Sequence, residues 1–220
     1  MARLTVQERR DAAISATMRV IARSGVEAAT TRRIADEAGV GQSSLFYAFD
    51  SRDDLLAAVV EYGIAQELAA MDGWLRQASA MFTTSQVSIA DVLTDAFTAF
   101  VDDLVEHSDR EHALVELALY AQRTEGLQPL AQKLYGGYYE LVSGLLVHAA
   151  DSGGIAWTMP VDHLATLTVA MTDGMTLCYL STGDRSRAQQ IADSAVDLLL
   201  RYVAEQEQPE QASPGRQEPT

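Results

Sequence analysis

Residues 30–56 read TTRRIADEAGVGQSSLFYAFDSRDDLL, and this stretch decides the fold. Thr30 or Thr31 supplies a side-chain oxygen that can cap a helix. Ile34, Ala35 and Ala38 follow at helical spacing and predict an inward face. Gly39 ends that short helix, because glycine alone enters the left-handed conformation without strain. Val40 and Gly41 make a tight turn. A third helix is expected from about 42 to 49, with Leu45, Phe46 and Phe49 as apolar anchors. Ala35 and Ala38 let the two helices approach closely, and Val40 fills the gap between them. Two short helices around a glycine turn spell a helix-turn-helix, spanning about 31–49. The outward face of its third helix is expected to carry Gln42, Ser43, Ser44, Tyr47 and Ala48. Gln, Ser and Tyr can bond base edges or phosphates without burying charge.

Upstream, Thr5-Val6-Gln7-Glu8 has the spacing of a capping box, and Ile14, Met18, Ile21 and Ala22 recur behind it. A first helix over about 6–24 follows, ended by Gly25. Downstream, Ser51 can cap a fourth helix, and Asp53 and Asp54 suit the positive end of its dipole. That helix is expected to run towards Met71. Further helical patterns occupy about 89–104, 109–123, 127–148, 161–181 and 185–204. No segment alternates as a strand does. The fold class is therefore all-α, with about nine helices. Residues 1–51 are expected to form a helix-turn-helix domain and 52–204 a larger helical domain. The tail, 205–220, is rich in Glu, Gln, Pro and Ser and is expected to be disordered.

Composition agrees with a folded helical chain. The 220 residues are 48% hydrophobic but only 7% aromatic. One cysteine, Cys178, excludes an internal disulfide and is expected in the core. The apolar stretch 164–180 holds Asp173 and Gly174 in its middle, so no membrane span is expected. With no apolar leader, the expected setting is cytoplasmic. The net charge of −15 argues against nucleic acid until its distribution is read. Residues 1–55 balance eight arginines against eight acids, so the entire excess lies in 56–220. Only the first quarter of the chain can approach a phosphate backbone without net repulsion.

The sequence resembles the TetR-type transcriptional regulators. Thr-Thr-x-x-Ile-Ala, Ala-Gly-Val, Leu-Phe-x-x-Phe and Ser-Arg-x-x-Leu-Leu fall at that family's spacings within residues 6–60. The resemblance implies that Thr31 and Arg32 open a phosphate-contacting helix, and that Gln42, Ser43 and Ser44 face the bases. Phe46 stands where a phosphate-bonding Tyr is usual, and Tyr47 at a common contact position. Arg52 replaces the usual Lys at the fourth helix and is expected at a phosphate. Gly41 replaces a frequent Ser-type cap. The resemblance further implies a homodimeric repressor on a near-palindromic operator of double-stranded DNA, paired through its last two long helices. A small apolar or amphipathic effector would release it.

Beyond residue 60 no catalytic constellation stands out. Asp109, Glu111, His112 and Glu116 cluster, and Asp109-x-x-His112 has a spacing compatible with metal ligands. A capped, solvated helix end explains them more simply, so no metal and no cofactor are expected and the chain is not read as an enzyme. A metal-binding enzyme using 109–116 is the remote alternative. A dimeric sensor whose helix-turn-helix has degenerated is another, supported only by Phe46 and Gly41. For the effector pocket the candidates are apolar residues at core spacing on several helices. They are Met71, Trp74, Phe97, Phe100 and Leu117, then Tyr120, Tyr138, Leu141, Met171 and Met175. Asp173, in mid-helix, needs a partner, water or ligand if buried.

Overall fold

The computed structural model describes residues 5–84 and 88–204, apart from the side chains of residues 67 and 70–84. The expected tail, 205–220, lies outside the described residues, as do the side chains of Met71 and Trp74. The described chain is helical throughout, with no strand. One isolated bridge, Trp157 to Val203, ties the end of the last helix to the loop before the eighth.

Helix α1 (Val6–Ser24) begins with the capping box: Glu8 N–H donates to Thr5 Oγ1 at 3.1 Å, and Thr5 N–H donates to Glu8 Oε2 at 2.7 Å. A 3-10 turn (Val26–Ala28) leads to α2 (Thr31–Ala38), capped by Thr30, whose Oγ1 accepts from Arg33 N–H at 3.3 Å. Gly39 ends α2 in the left-handed region at φ +67°. Helix α3 (Gln42–Phe46) is shorter than the pattern suggests. Helix α4 (Arg52–Thr84) starts on Ser51, whose Oγ accepts from Asp54 N–H at 3.0 Å, and runs beyond the expected end near Met71. There follow α5 (Ile89–Glu106), α6 (Ser108–Arg123), α7 (Gln128–Gly153), α8 (Val161–Thr182) and α9 (Arg185–Leu200).

The apolar residues gather into two cores. The first joins α1, α2 and α3 to the start of α4 and then to α6 and the start of α7. It runs from Ile21, Ile34, Leu45 and Phe49 through Leu56 and Val59 to Leu114, Leu117 and Leu134. The second joins α5, the end of α7, α8 and α9, through Phe97, Leu104, Leu146, Leu164, Met175 and Leu199. Three inward residues of α6, Leu114, Leu117 and Ala121, therefore belong to the same packed unit as the helix-turn-helix. Gly63 permits this: a Cβ there would lie 2.7 Å from Leu114 Cδ2, so α4 and α6 meet at a distance that no larger residue allows without a shift. Cys178, expected in the core, is only half-buried on α8.

Candidate nucleic-acid interface and ligand cavity

The helix-turn-helix leaves a polar surface outward. Gln42 Nε2 donates to Thr31 Oγ1 at 3.2 Å and so joins the first residue of α3 to the first of α2. Arg32, Gln42 and Ser43 are exposed, Ser44 is half-buried, and Tyr47 is 84% exposed. Leu45 and Phe49, four residues apart, are buried beneath them. Phe46 differs from expectation. It is 57% exposed, because one residue's rotation from Leu45 carries it off the inner face. An aromatic ring therefore sits in the open beside Tyr47.

Most arginines of the head are committed to the protein itself. Arg10 donates to Ala48 O at 2.9 Å and lies over the Phe49 ring. Arg19 and Arg23 both pair with Glu37, at 2.8 and 2.6 Å, and their hydrogen bonds hold its carboxyl below the usual range. Arg33 donates to Ser24 Oγ at 2.7 Å. Arg52, expected at a phosphate, has all three nitrogens engaged inward. It donates to Val26 O at 2.6 Å, Ala29 O at 2.9 Å and, more weakly, the Tyr120 hydroxyl at 3.4 Å. The charged end of α4 thus clasps the turn before α2 and touches α6. Among the described residues, Arg32 is an exposed guanidinium with no protein partner.

Between the two cores lies a cavity of about 210 Å³. Leu114, Ala118 and Leu134 of the first core form part of its wall, and Leu93, Phe97, Leu104, Leu146 and Leu199 of the second form another. Of the residues anticipated there, Phe97, Phe100, Tyr138, Leu141 and Asp173 line it. Leu117 faces the first core, Met175 is sealed in the second, and Met171 packs beside the second. Tyr120 lies below, under the guanidinium groups of Arg52 and Arg123.

The wall also carries polar groups that were not anticipated there, Tyr135, Arg110 and Glu111. The Tyr135 hydroxyl of α7 donates to Asp173 Oδ2 of α8 at 3.1 Å. Burial pushes Asp173 above the ordinary carboxylate range, against that hydrogen bond. Burial, with the charge of Asp173 adding to it, pushes the Tyr135 hydroxyl up to about 12. On α6, Arg110 Nε donates to Glu111 Oε1 at 2.8 Å, and Arg110 Nη2 pairs with Asp103 of α5. Glu111 is only 8% exposed, and its burial raises its pKa despite Arg110. A signal for it existed: Glu111, Leu114 and Ala118 share one face of α6, so an acid stood in an apolar row. The cluster anticipated at 109–116 is dispersed. Glu111 turns into the cavity, while Glu116 lies against Gly25. Among the described residues no three His, Cys, Asp or Glu side chains come together as a metal site.

A helix-turn-helix head packed on a larger all-helical unit defines a class of DNA-binding regulators. Comparison with known proteins narrows the class. The family of bacterial regulatory proteins of TetR type matches residues 13–59, and the C-terminal region of BetI-type transcriptional repressors matches residues 90–201. The chain belongs to the TetR family of transcriptional regulators, which are not enzymes. It is 29% identical over 203 residues to the HTH-type nicotine-responsive transcriptional repressor HdnoR of Paenarthrobacter nicotinovorans, covering 91% of this chain and 98% of that one. Its fold is shared with the transcriptional regulator FadR from Bacillus subtilis, solved in complex with stearoyl-CoA. There the TM-score is 0.69 at 17% identity, over 88% of this chain and 99% of that one. A TetR transcription regulator from Haloarcula marismortui gives a TM-score of 0.71 at 18% identity, over 90% and 100% of the two chains. No described helix is long and apolar enough to cross a membrane.

Proposed function

We propose that the protein is a homodimeric repressor released from a near-palindromic operator by a small molecule bound in the cavity. The observation that carries this reading is the position of the cavity. It is walled by the core that includes the helix-turn-helix and by the core that includes α8 and α9. A ligand there changes the fit of one unit on the other. The nicotine-responsive relative and the stearoyl-CoA complex of FadR support a small-molecule effector.

In this reading Arg32 contacts phosphate, with Thr31 at the same helix start. Gln42, Ser43, Ser44 and Tyr47 face base edges or the flanking backbone. Arg52 holds the head to α6 instead of touching DNA. The dimer forms through α8 and α9. Its support is a strip on α8 where Ala170 is exposed, Leu177 is 52% exposed and a Cβ on Gly174 would meet open space. Two heads then enter successive major grooves about 34–36 Å apart. An effector coupling of about 1–3 kcal/mol weakens operator binding about 5- to 150-fold.

Selection from random duplexes, followed by fluorescence anisotropy on the winning sequence, tests the reading head. Light scattering at micromolar concentration tests the dimer. A palindromic preference and a mass of two chains are expected. A monomer that selects no sequence would overturn the reading.

A further inference from the structure

We propose that the cavity takes an organic cation, an amine with an apolar body, whose charged nitrogen sits against Asp173 and the hydroxyl oxygens beside it. The proposal rests on the cavity being the effector site and adds the chemistry of what enters it.

Among the described residues, the charged groups on the wall are Asp103, Arg110, Glu111 and Asp173. Three are acids and one is a base. Arg110 is shared between Glu111 and Asp103, at one side of the cavity formed by α5 and α6. Asp173, on α8, receives no cation among the described residues, only the Tyr135 hydroxyl. A half-buried carboxylate that no cation among the described residues pairs is costly, and a bound cation removes that cost.

The hydrogen-bonding capacity around Asp173 has the same sense. The Thr168 hydroxyl donates to Leu164 O at 2.9 Å, and the Thr172 hydroxyl donates to Val169 O at 2.9 Å. The Tyr135 hydroxyl donates to Asp173 itself. Each hydroxyl has its one proton committed, so what these three side chains and Asp173 offer a ligand is lone pairs. A ligand seated on these four groups must bring the donors. An ammonium group brings up to three together with the missing positive charge. A carboxylate or a phosphate brings only acceptors and meets the field of an unneutralised acid. Phe97, Phe100 and Leu141 surround the apolar remainder, and the aromatic rings also favour a cation over their faces.

The test is calorimetric titration of the full chain with three matched series at pH 7.4. These are n-alkylamines of six, eight and ten carbons, the alcohols of the same length, and the carboxylates of the same length. The best amine is expected to bind at least tenfold tighter than its alcohol, and its carboxylate weakest of the three. Asp173→Asn keeps the shape and can still accept from Tyr135. It is expected to bring the amine-to-alcohol ratio near one, a ratio in which any change common to both series cancels. Tyr135→Phe is expected to retain the amine preference. Carboxylates or alcohols binding as tightly as amines, an amine preference that survives Asp173→Asn, or no binding by any amine would each overturn the proposal. Anisotropy of the DNA complex separates the underlying reading. An Asp173-dependent amine preference with no change in DNA affinity would uphold the cation site and overturn its role as the effector site.

Discussion

Two arginines of the head make a decisive pair, because their surroundings are opposite. Arg32 is exposed with no partner among the described residues, whereas every nitrogen of Arg52 is engaged inward. If Arg32 neutralises one phosphate per head, Arg32→Ala removes two contacts per dimer. The slope of log affinity against log salt then flattens by about 1.8, at about 0.9 per phosphate. Between 50 and 200 mM salt the wild type therefore loses about tenfold more affinity than the variant does. Arg52→Ala removes the charged donor of two main-chain carbonyl bonds, at 2.6 and 2.9 Å. At the low end of about 1.5 kcal/mol per charged hydrogen bond, suited to a partly exposed group, the loss is about 3 kcal/mol. That corresponds to about 6–12 °C in melting temperature for a chain of this size. Its salt slope on folded protein stays at the wild-type value. Anisotropy titrations at four salt concentrations, with a thermal melt of each variant, read both quantities. An Arg52→Ala protein that melts normally and flattens the slope as Arg32→Ala does would refute the clasp and restore the phosphate contact.

Gln42→Ala removes a side chain that can read a base edge and frees Thr31, so it is expected to relax preference at one operator position by about 1–3 kcal/mol. Selected-sequence profiles of wild type and variant check this, and an unchanged profile rules out base reading by Gln42. Asp173→Asn is expected to raise the melting temperature at pH 7. Asp173 has a raised folded pKa, so the folded chain holds that proton more tightly and loses stability as pH climbs through the window between the unfolded and folded values. The gain should fade as both values are passed on acidification. Tyr135 and Tyr138 on α7, Asp103 on α5, and Arg110 and Glu111 on α6 also line the cavity, and the asparagine-minus-wild-type difference cancels what they contribute in common. A gain independent of pH would remove Asp173's titration as the cause. Gly63→Ala places a methyl 2.7 Å from Leu114 Cδ2 and drives that side chain towards the cavity it already lines. It is expected to cost about 1 kcal/mol, at the low end for overpacking, and to weaken cavity ligands, with calorimetry as the check.

The helical architecture was legible because its signals are local. Thr5 with Glu8, Gly39, and the Leu45–Phe49 pair each act within a few residues, and each does in the structure what its spacing predicts. Phe46 was misread because apolar character was taken as burial, though its rotation from Leu45 already placed it outward. The cavity wall was half legible. Phe97, Phe100, Tyr138, Leu141 and Asp173 share it, but periodicity says only that a residue faces inward, not which of two cores it meets. Leu117 and Met175 are equally inward and belong one to each core. The partners of Arg52 and Asp173 were invisible for a different reason. Arg52 meets Tyr120 sixty-eight positions away, and Asp173 meets Tyr135 thirty-eight away, and no periodicity reports such pairings.

Helix α6 joins the first of these pairings to the cavity that the second lines. Its first half supplies Arg110, Glu111 and Leu114 to the cavity, and its last turns supply Tyr120 to Arg52. A helix is stiff over this length, so a displacement at one end reaches the other. The bonds at the far end differ in tolerance. Those from Arg52 to Val26 O and Ala29 O lie at 2.6 and 2.9 Å, while that to Tyr120 lies at 3.4 Å, near the limit for a hydrogen bond. A shift of α6 by about 1 Å, the scale of helix shifts in switching proteins, breaks the weak link and leaves the strong ones intact. The head would then keep its fold and its packing on α6 and lose the polar tie from Arg52 to Tyr120. On this geometry Tyr120→Phe should keep the melting temperature near that of wild type and weaken the effect of ligand on DNA binding. An unchanged ligand effect in that variant would show that coupling runs through the packed faces of α1 and α6 instead.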